Sequence, residues 1–123
     1  MKVAIGGMKK TEMEAAIKKV DPNIETVITT DIGAVPMLKN GVVDYYFGAC
    51  ESGGGAAISI LIGIIGYQKC CTVAKNGGQV NPDLIQKVIA EGKVVFGMAH
   101  DSIDKTVPVL VQALKNTIGG RRC

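Results

Sequence analysis

Short apolar runs alternate with amphipathic segments along the whole chain, and this alternation predicts a regular succession of strands and helices. Each apolar run is short and is bounded by glycine or polar residues, as is typical of buried strands. The predicted strands cover residues 3–7, 25–29, 44–49, 70–74 and 93–99.

The segments between the predicted strands carry signals that begin and end helices. Thr11 and Glu14 have the spacing of a capping box, and Asp31 stands where it caps a second helix. Pro36 is expected to confine or kink that second helix, and Pro108 is expected to interrupt the last one. The predicted helices cover residues 11–20, 31–39, 56–67, 82–91 and a last segment from 101 or 102 to about 118.

Five strands that alternate with five helices predict a parallel sheet covered by helices on both faces. The chain has 123 residues, a length that suits one domain. We therefore expect a single Rossmann-like α/β domain over residues 1–123, with three α/β/α layers around a five-stranded, mainly parallel sheet.

The third predicted helix, 56–67, has no polar stripe. A helix on one face of a sheet normally turns polar residues to water, and a helix that is apolar all round is buried on every side. A second copy of the chain is the expected cover. We therefore predict a homo-oligomer that forms through helix 56–67.

Composition and charge narrow the function classes. Hydrophobic residues make up 47% of the chain and charged residues 20%, which excludes a disordered chain. Aromatic residues are only 4%, and the basic residues behind the net charge of +3 are scattered, so no nucleic-acid partner is expected. No apolar run reaches the ~20 residues of a membrane helix, and the four cysteines show no CxxC spacing. We expect a cytoplasmic protein with reduced thiols, no membrane partner, no metal and no cofactor.

The candidate chemistry lies where predicted strands one, three and five end, because ligands of parallel sheets bind beyond the carboxyl ends of the strands. The predicted catalytic residues are Cys50, Glu51 and His100. The predicted ligand-binding residues, which share a place in the loops after strands one and three, are Gly6, Gly7, Lys9, Lys10, Ser52, Gly53, Gly54 and Gly55. A small anionic metabolite is the expected ligand, because glycines at a helix start expose backbone N–H groups and the lysines attract negative charge.

Cys50 directly precedes the glycine-rich loop. Positive potential at a helix start lowers the pKa of a neighbouring thiol, so we expect a thiolate suited to proton abstraction or nucleophilic attack. His100 and Glu51 are candidate acid–base partners for it. In the alternative interpretation, Cys50 is a buried structural residue before a tight turn, and the charged candidates are simply solvated.

Residues 44–59, DYYFGACESGGGAAIS, resemble the active-site segment of ribose-5-phosphate isomerase B and of galactose-6-phosphate isomerase subunits. The shared form is Cys-x-Ser/Thr-Gly-x-Gly-x-Ser/Ala-Ile, which begins here at Cys50. The resemblance implies that Cys50 moves a proton between adjacent carbons of a sugar phosphate. It also implies that Ser52, Gly53 and Gly55 line the site of the enediolate oxygens.

The strand order that this resemblance implies is 2-1-3-5-4, and the flavodoxin order 2-1-3-4-5 is the alternative. In the first order the loop that holds His100 begins one strand spacing from the loop that holds Cys50, whereas another strand intervenes in the second. The isomerases carry an Asp-His pair after strand one, where this chain has Gly7 and Met8. Three functions therefore stay open: an isomerase-like enzyme, a non-catalytic metabolite-binding or regulatory subunit, and an assembly partner.

A resemblance over the whole length is carried by the segments DYYFGAC, GYQKCCTVAK and IAEGKVVFGMA in their order and spacing. In these segments the chain resembles the YhfU-like bacterial family of proteins of unknown function. This resemblance implies a cytoplasmic metabolic setting and no particular reaction.

Overall fold

One sheet of five strands has the order β2-β1-β3-β5-β4. The computed structural model describes residues 1–53 and 55–122 of the chain. The strands are β1 (Lys2–Gly7), β2 (Glu25–Ile28), β3 (Tyr45–Cys50), β4 (Cys70–Ala74) and β5 (Val95–Ala99). All four strand pairings in these residues are parallel. The predicted α/β class and the order 2-1-3-5-4 are therefore confirmed, and the flavodoxin order is wrong.

Helices cover the sheet on both sides. They are α1 (Lys10–Val20), α2 (Asp31–Lys39), α3 (Ser59–Ile65), α4 (Pro82–Ala90) and α5 (Ile103–Arg122), with single 3-10 turns at Tyr67–Lys69 and His100–Ser102. Buried residues of α1, α4 and α5 pack on one face of the sheet, and those of α2 and α3 pack on the other. We call these the α1/α4/α5 face and the α2/α3 face.

β3 lies at the centre of the sheet and is buried along its whole length. Its side chains alternate between the two faces because a strand has a period of two residues. Tyr45 and Phe47 belong to the core on the α1/α4/α5 face, whereas Tyr46 and Cys50 belong to the core on the α2/α3 face. This alternation places the Cys50 thiol beneath the two short helices.

The first helix does not begin with a capping box, so that prediction is wrong. α1 begins one residue before Thr11, after Lys9, which adopts a left-handed conformation with φ 53° and provides no side-chain cap. Glu14 does not reach back to the start of the helix. Its carboxylate instead accepts a hydrogen bond of 2.6 Å from the hydroxyl of Thr26 in β2, so a tertiary contact takes the place of the cap.

Helix α2 begins where it was predicted, but its cap is Thr30 rather than Asp31. The Thr30 hydroxyl accepts a hydrogen bond of 2.9 Å from the N–H of Gly33. Pro36 lies inside α2 and Pro108 lies inside α5, so the predicted interruption of the last helix is wrong. Each proline is the sixth residue of its helix, and the carbonyl that loses its helical donor belongs to an exposed residue near the helix start.

The apolar segment 56–67 forms a shorter helix than predicted. Residues 55–58 make a turn, α3 covers only Ser59–Ile65, and Gly66 ends it with a φ of 115°. Leu61 is fully buried against the sheet, whereas Ile60 and Ile64 are exposed. The short helix therefore leaves an apolar surface uncovered, and the homo-oligomer stays a prediction.

Candidate functional site

The carboxyl ends of β1 and β3 lie side by side, and the chain leaves them in opposite directions. Gly7 of β1 pairs with Ala49 of β3 in the sheet. β1 leads to α1 on one face, whereas β3 leads to α3 on the other. Such a divergence opens a crevice at the edge of a parallel sheet, which is the usual place for a ligand.

A pocket of about 340 Å³ lies in this crevice. Residues at the ends of β1 and β3 and in the segments after the first three strands line it: Gly7, Met8, Lys10, Thr30, Asp31, Ala49, Cys50, Ala56 and Ala57. Three predicted site residues, Gly7, Lys10 and Cys50, thus come together in one place. We call this cavity the Cys50 pocket.

Backbone amides of the glycine-rich loop surround the Cys50 sulfur. The N–H of Gly53 donates a hydrogen bond of 3.1 Å to Sγ, and the amides of Ala57, Ser52 and Gly55 also act on it. Burial alone would raise the pKa of the Cys50 thiol, but these backbone hydrogen bonds together hold the pKa below its usual value. At a given pH the thiolate fraction of Cys50, at the edge of the pocket, is therefore larger than that of an ordinary thiol.

The backbone amides of the glycine-rich loop after Cys50 do not point where the sequence predicted. The sequence suggested glycines at a helix start that leave their amides free for an external anion, but α3 begins only at Ser59. Gly53 has a φ of 74°, and a Cβ there would lie 2.4 Å from the Ala74 carbonyl oxygen, so this position needs glycine. The loop instead wraps its amides around the cysteine. Gly54 lies outside the described residues.

Of the ligand-binding residues predicted at the end of β1, two line the Cys50 pocket and two do not. Lys10 lines the pocket, and its ammonium donates a hydrogen bond of 2.6 Å to the Thr29 carbonyl. Gly7 also lines the pocket, and a Cβ there would lie 2.2 Å from the Ala49 carbonyl oxygen. Gly6 is buried beside a tyrosine ring, and Lys9 is exposed at the start of α1, so neither belongs to the lining.

The predicted acid–base partners lie elsewhere at the same end of the sheet. Ala99 pairs with Cys50, so His100 does begin beside the loop of the cysteine, as the strand order predicted. Neither His100 nor Glu51 lines the Cys50 pocket, and no hydrogen bond joins either side chain to Cys50 in the part of the chain that the structure describes. For His100 the reason is topological, because the chain leaves β3 towards α3 and leaves β5 towards α5, on opposite faces. Glu51 directly follows Cys50 and is exposed.

A separate polar group forms around the end of β5. The Asn76 side chain donates to the Asp101 carboxylate at 2.7 Å and to the Glu51 carbonyl oxygen at 3.5 Å. The His100 Nδ1 atom is buried and has no hydrogen-bond partner within residues 1–53 and 55–122. Among those residues no cluster of three His, Cys, Asp or Glu side chains could hold a metal ion, and no helix is long and apolar enough to cross a bilayer.

Comparison with known proteins identifies the family of this chain. The model of the protein family of unknown function DUF2620 matches residues 1–114. The chain belongs to the DUF2620 family. It is 40% identical to the uncharacterized protein YhfU of Escherichia coli strain K12 over 115 residues. The aligned residues cover 93% of this chain and 98% of the relative. The uncharacterized protein YhfU of Shigella flexneri has the same identity and coverage.

This DUF2620 chain is also similar to part of a larger enzyme. The cobyrinate a,c-diamide synthase of Methanosarcina acetivorans is 29% identical over 133 residues, which cover 94% of this chain and 26% of the enzyme. The predicted resemblance to the YhfU-like family is confirmed over 93% of the chain, whereas the resemblance of the Cys50 loop to the phosphosugar isomerases stays a prediction.

Sequence reasoning missed the contribution of β2 to the site in this DUF2620 chain. Thr30 and Asp31 follow β2 and line the Cys50 pocket, whereas the sequence predicts a site only at the ends of strands one, three and five. The polar residues at the end of β2 are a signal for this contribution in the sequence, because β2 neighbours β1 in the observed strand order and in the flavodoxin order.

Proposed function

We propose that this protein catalyses proton transfer on a small carbonyl compound that carries an anionic group, with the Cys50 thiolate as the base. One observation carries the proposal: backbone amides stabilise the Cys50 sulfur as a thiolate where it borders a pocket at a strand-end crevice. A structural cysteine has no need of such stabilisation, whereas a catalytic thiol needs it to react near neutral pH.

The chemistry balances without a cofactor. The thiolate takes a proton from the hydroxyl-bearing carbon next to the carbonyl group, and the electron pair of that C–H bond moves to form an enediolate. The former carbonyl oxygen takes a proton from water and the hydroxyl oxygen gives its proton to water, and return of the carbon-bound proton to the former carbonyl carbon then gives the isomer. Return of a proton to the original carbon, after the thiol has exchanged its proton with water, gives exchange with solvent. This is the isomerase-like reaction that the resemblance of the Cys50 loop implies.

Lys10 supports an anionic substrate. Its ammonium group has three N–H donors, and the Thr29 carbonyl occupies one of them. The others can serve an anionic group in the pocket that Lys10 lines. A volume of about 340 Å³ lies at the small end of ligand pockets, so the expected substrate is a compound of a few carbon atoms.

The test is exchange of carbon-bound protons in D₂O, followed by NMR, on dihydroxyacetone phosphate, ribose 5-phosphate and hydroxypyruvate. We expect the protein to exchange at least one compound and Cys50→Ser to slow that exchange by about 10²-fold or more, because the base is lost. Cys71→Ser is the matched control, since Cys71 does not line the Cys50 pocket. Full exchange by Cys50→Ser would refute the proposal.

A second candidate is non-catalytic binding of an anionic metabolite in the same pocket. It is favoured by the placement of His100 and Glu51, because neither lines the pocket as an acid–base partner. Binding without catalysis predicts a rise in Tm with the same compounds that survives Cys50→Ala. A ligand at 100 times its Kd stabilises the fold by about 2.7 kcal/mol, which corresponds to a shift of several degrees.

A further inference from the structure

A second cavity lies beside β4, the last strand of the sheet. Its volume is about 460 Å³, against about 340 Å³ for the Cys50 pocket. Residues of α3, of β4 and of α4 all line it, although the two helices cover opposite faces of the sheet. Because no strand of the described residues covers the outer side of β4, the cavity reaches both helix layers there. We call it the β4-edge pocket.

Apolar side chains line the β4-edge pocket from both helix layers. Ile58 and Ile62 line it on the α3 side, and Leu84 and Val88 line it on the α4 side. Leu84 is 38% exposed and Ile62 is half-buried, so part of this apolar surface is open to water. A ligand with an apolar ring or chain would cover that surface, and removal of apolar surface from water favours binding.

The predicted contact between copies of the chain uses another side of α3. Ile60 and Ile64 are exposed, and neither lines the β4-edge pocket. Residues two positions apart in a helix lie about 200° apart around its axis, so Ile60 and Ile64 face away from Ile62. A second copy packed against Ile60 and Ile64 would therefore not occupy the pocket.

The charged side chains of the β4-edge pocket are Lys87, Lys93 and Glu91, so its net charge is positive. No ion pair joins any of the three to another side chain in residues 1–53 and 55–122. The Lys93 ammonium lies 5.3 Å from the centre of the Tyr67 ring and donates a hydrogen bond of 3.4 Å to the Tyr67 carbonyl. An ammonium group has three N–H donors, so both lysines retain donors for an anionic ligand.

The thiol of Cys71 lines the same pocket but is not a nucleophile at neutral pH. Burial raises its pKa to about 12, although Lys93 partly opposes this effect. A ligand in the β4-edge pocket is therefore bound without covalent chemistry.

We propose that the β4-edge pocket is a second ligand site, which binds an organic carboxylate that carries an apolar ring or chain. The carboxylate contacts Lys87 and Lys93, and the apolar part lies between the residues contributed by α3 and α4. Glu91 repels a second negative charge, so a monoanion suits the site better than a phosphate. The site does not depend on the proposed function, because the two pockets share no lining residue.

The first experiment measures binding of three probes to the full chain by calorimetry. Phenylacetate has both the ring and the charge, acetate lacks the ring, and phenylacetamide lacks the charge. We expect phenylacetate to bind with a Kd below about 1 mM and the other two to bind at least about tenfold more weakly. Equal binding of phenylacetamide or of acetate would overturn the proposed ligand class, and no binding of phenylacetate would overturn the site.

Variants test the role of the two lysines. Lys87→Gln combined with Lys93→Gln should weaken phenylacetate binding about tenfold or more, because both partners of the carboxylate are lost. Lys19→Gln combined with Lys105→Gln is the matched control, because it removes the same charge at exposed positions outside the pocket. An equal loss of binding in both double variants would reduce the effect to net charge and overturn the site. If the first double variant has a lowered Tm, Lys87→Gln alone replaces it, since Lys87 is exposed.

Protection of cysteines separates the two pockets. Cys71 lines the β4-edge pocket, and Cys50 lines the other one. Phenylacetate at about ten times its Kd leaves about a tenth of the sites empty, so alkylation of Cys71 by iodoacetamide should slow about tenfold. Cys50 should react at an unchanged rate. Protection of Cys50 in place of Cys71 would put the ligand in the Cys50 pocket and overturn the proposal, whereas loss of the exchange reaction alone would overturn only the proposed function.

Discussion

Cys50 and Cys71 have the same side chain in opposite electrostatic settings. Backbone N–H groups point at the sulfur of Cys50 and favour its charged form, despite burial. Burial dominates at Cys71 and raises the pKa of its thiol to about 12, although Lys93 partly opposes this effect. Reactivity of a thiol depends on its thiolate fraction, so the two cysteines should differ although both lie in strands of the same sheet.

We predict different pH profiles for alkylation of these two thiols. The rate at Cys50 should reach half its maximum at a lower pH than that of an ordinary thiol, whereas the rate at Cys71, whose pKa is raised to about 12, should still be rising at pH 10. Peptide-resolved mass spectrometry after short exposure to iodoacetamide measures both in one sample, and Cys71 is the internal control. A Cys50 midpoint at or above that of Cys71 would contradict the amide arrangement.

The sequence predicted those residues of the site whose positions depend only on the geometry of the parallel strands. Gly7, Lys10 and Cys50 meet because the ends of adjacent parallel strands share one edge of the sheet. The direction of the loop amides was not predictable, because successive glycines permit many backbone paths and only tertiary contacts, such as that of Gly53 with β4, select one.

At the scale of elements, the start of α1 departs most from its sequence signal. Lys9 holds a left-handed backbone conformation just before the helix, with φ 53° and ψ 46°. This conformation brings Cβ close to the following carbonyl oxygen in any residue except glycine. The Lys9 side chain is exposed and does not line the Cys50 pocket, so the cost of this conformation is not offset by a visible contact there.

We predict that Lys9→Gly stabilises the protein by about 1 kcal/mol, because glycine adopts this conformation without a steric penalty. Urea unfolding measures the change. Ala15→Gly, at an exposed site inside α1, is the control and should destabilise the protein by about 1 kcal/mol. Exchange activity should be unaffected by Lys9→Gly. A large loss of activity would show that Lys9 contributes to ligand binding after all.

The sequence patterns predicted the order and type of the helices and strands correctly, but they predicted where some elements begin and end less accurately. The strands were placed to within two residues, because an apolar run with glycine or polar residues after it has few other interpretations. The third helix was predicted too long, because apolar residues in a helix and in a buried turn look alike. Pro108 was expected to break α5, yet the long helix continues through it while packing on the sheet.

At the scale of the whole molecule, the two faces of the sheet are covered unequally. The α1/α4/α5 face carries three helices, one of them 20 residues long, whereas the α2/α3 face carries helices of nine and seven residues. The thin cover leaves Ile60 and Ile64 of α3 exposed, together with Tyr67, which is 74% exposed. We propose that a second copy of the chain covers this surface.

We predict that the wild-type protein is an oligomer at micromolar concentration and that Ile64→Lys makes it a monomer. A lysine there would bury a charge in the contact between copies, which is unfavourable without a partner. Light scattering coupled to gel filtration measures the mass. Ile28→Lys is the control, because Ile28 is similarly exposed, 47% against 49%, but lies at the end of β2. A monomeric wild-type protein would disprove the association.

The strand order also governs how the chain can fold. β5 lies between β3 and β4, although it follows both of them in the chain. On the ribosome, the apolar β3 therefore keeps one edge unpaired until the last strand has been synthesised. Contacts so distant along the chain slow folding, and open edges of apolar strands attract other chains. The yield of folded protein in the cell should thus depend on chaperones that shield nascent β3 until β5 arrives.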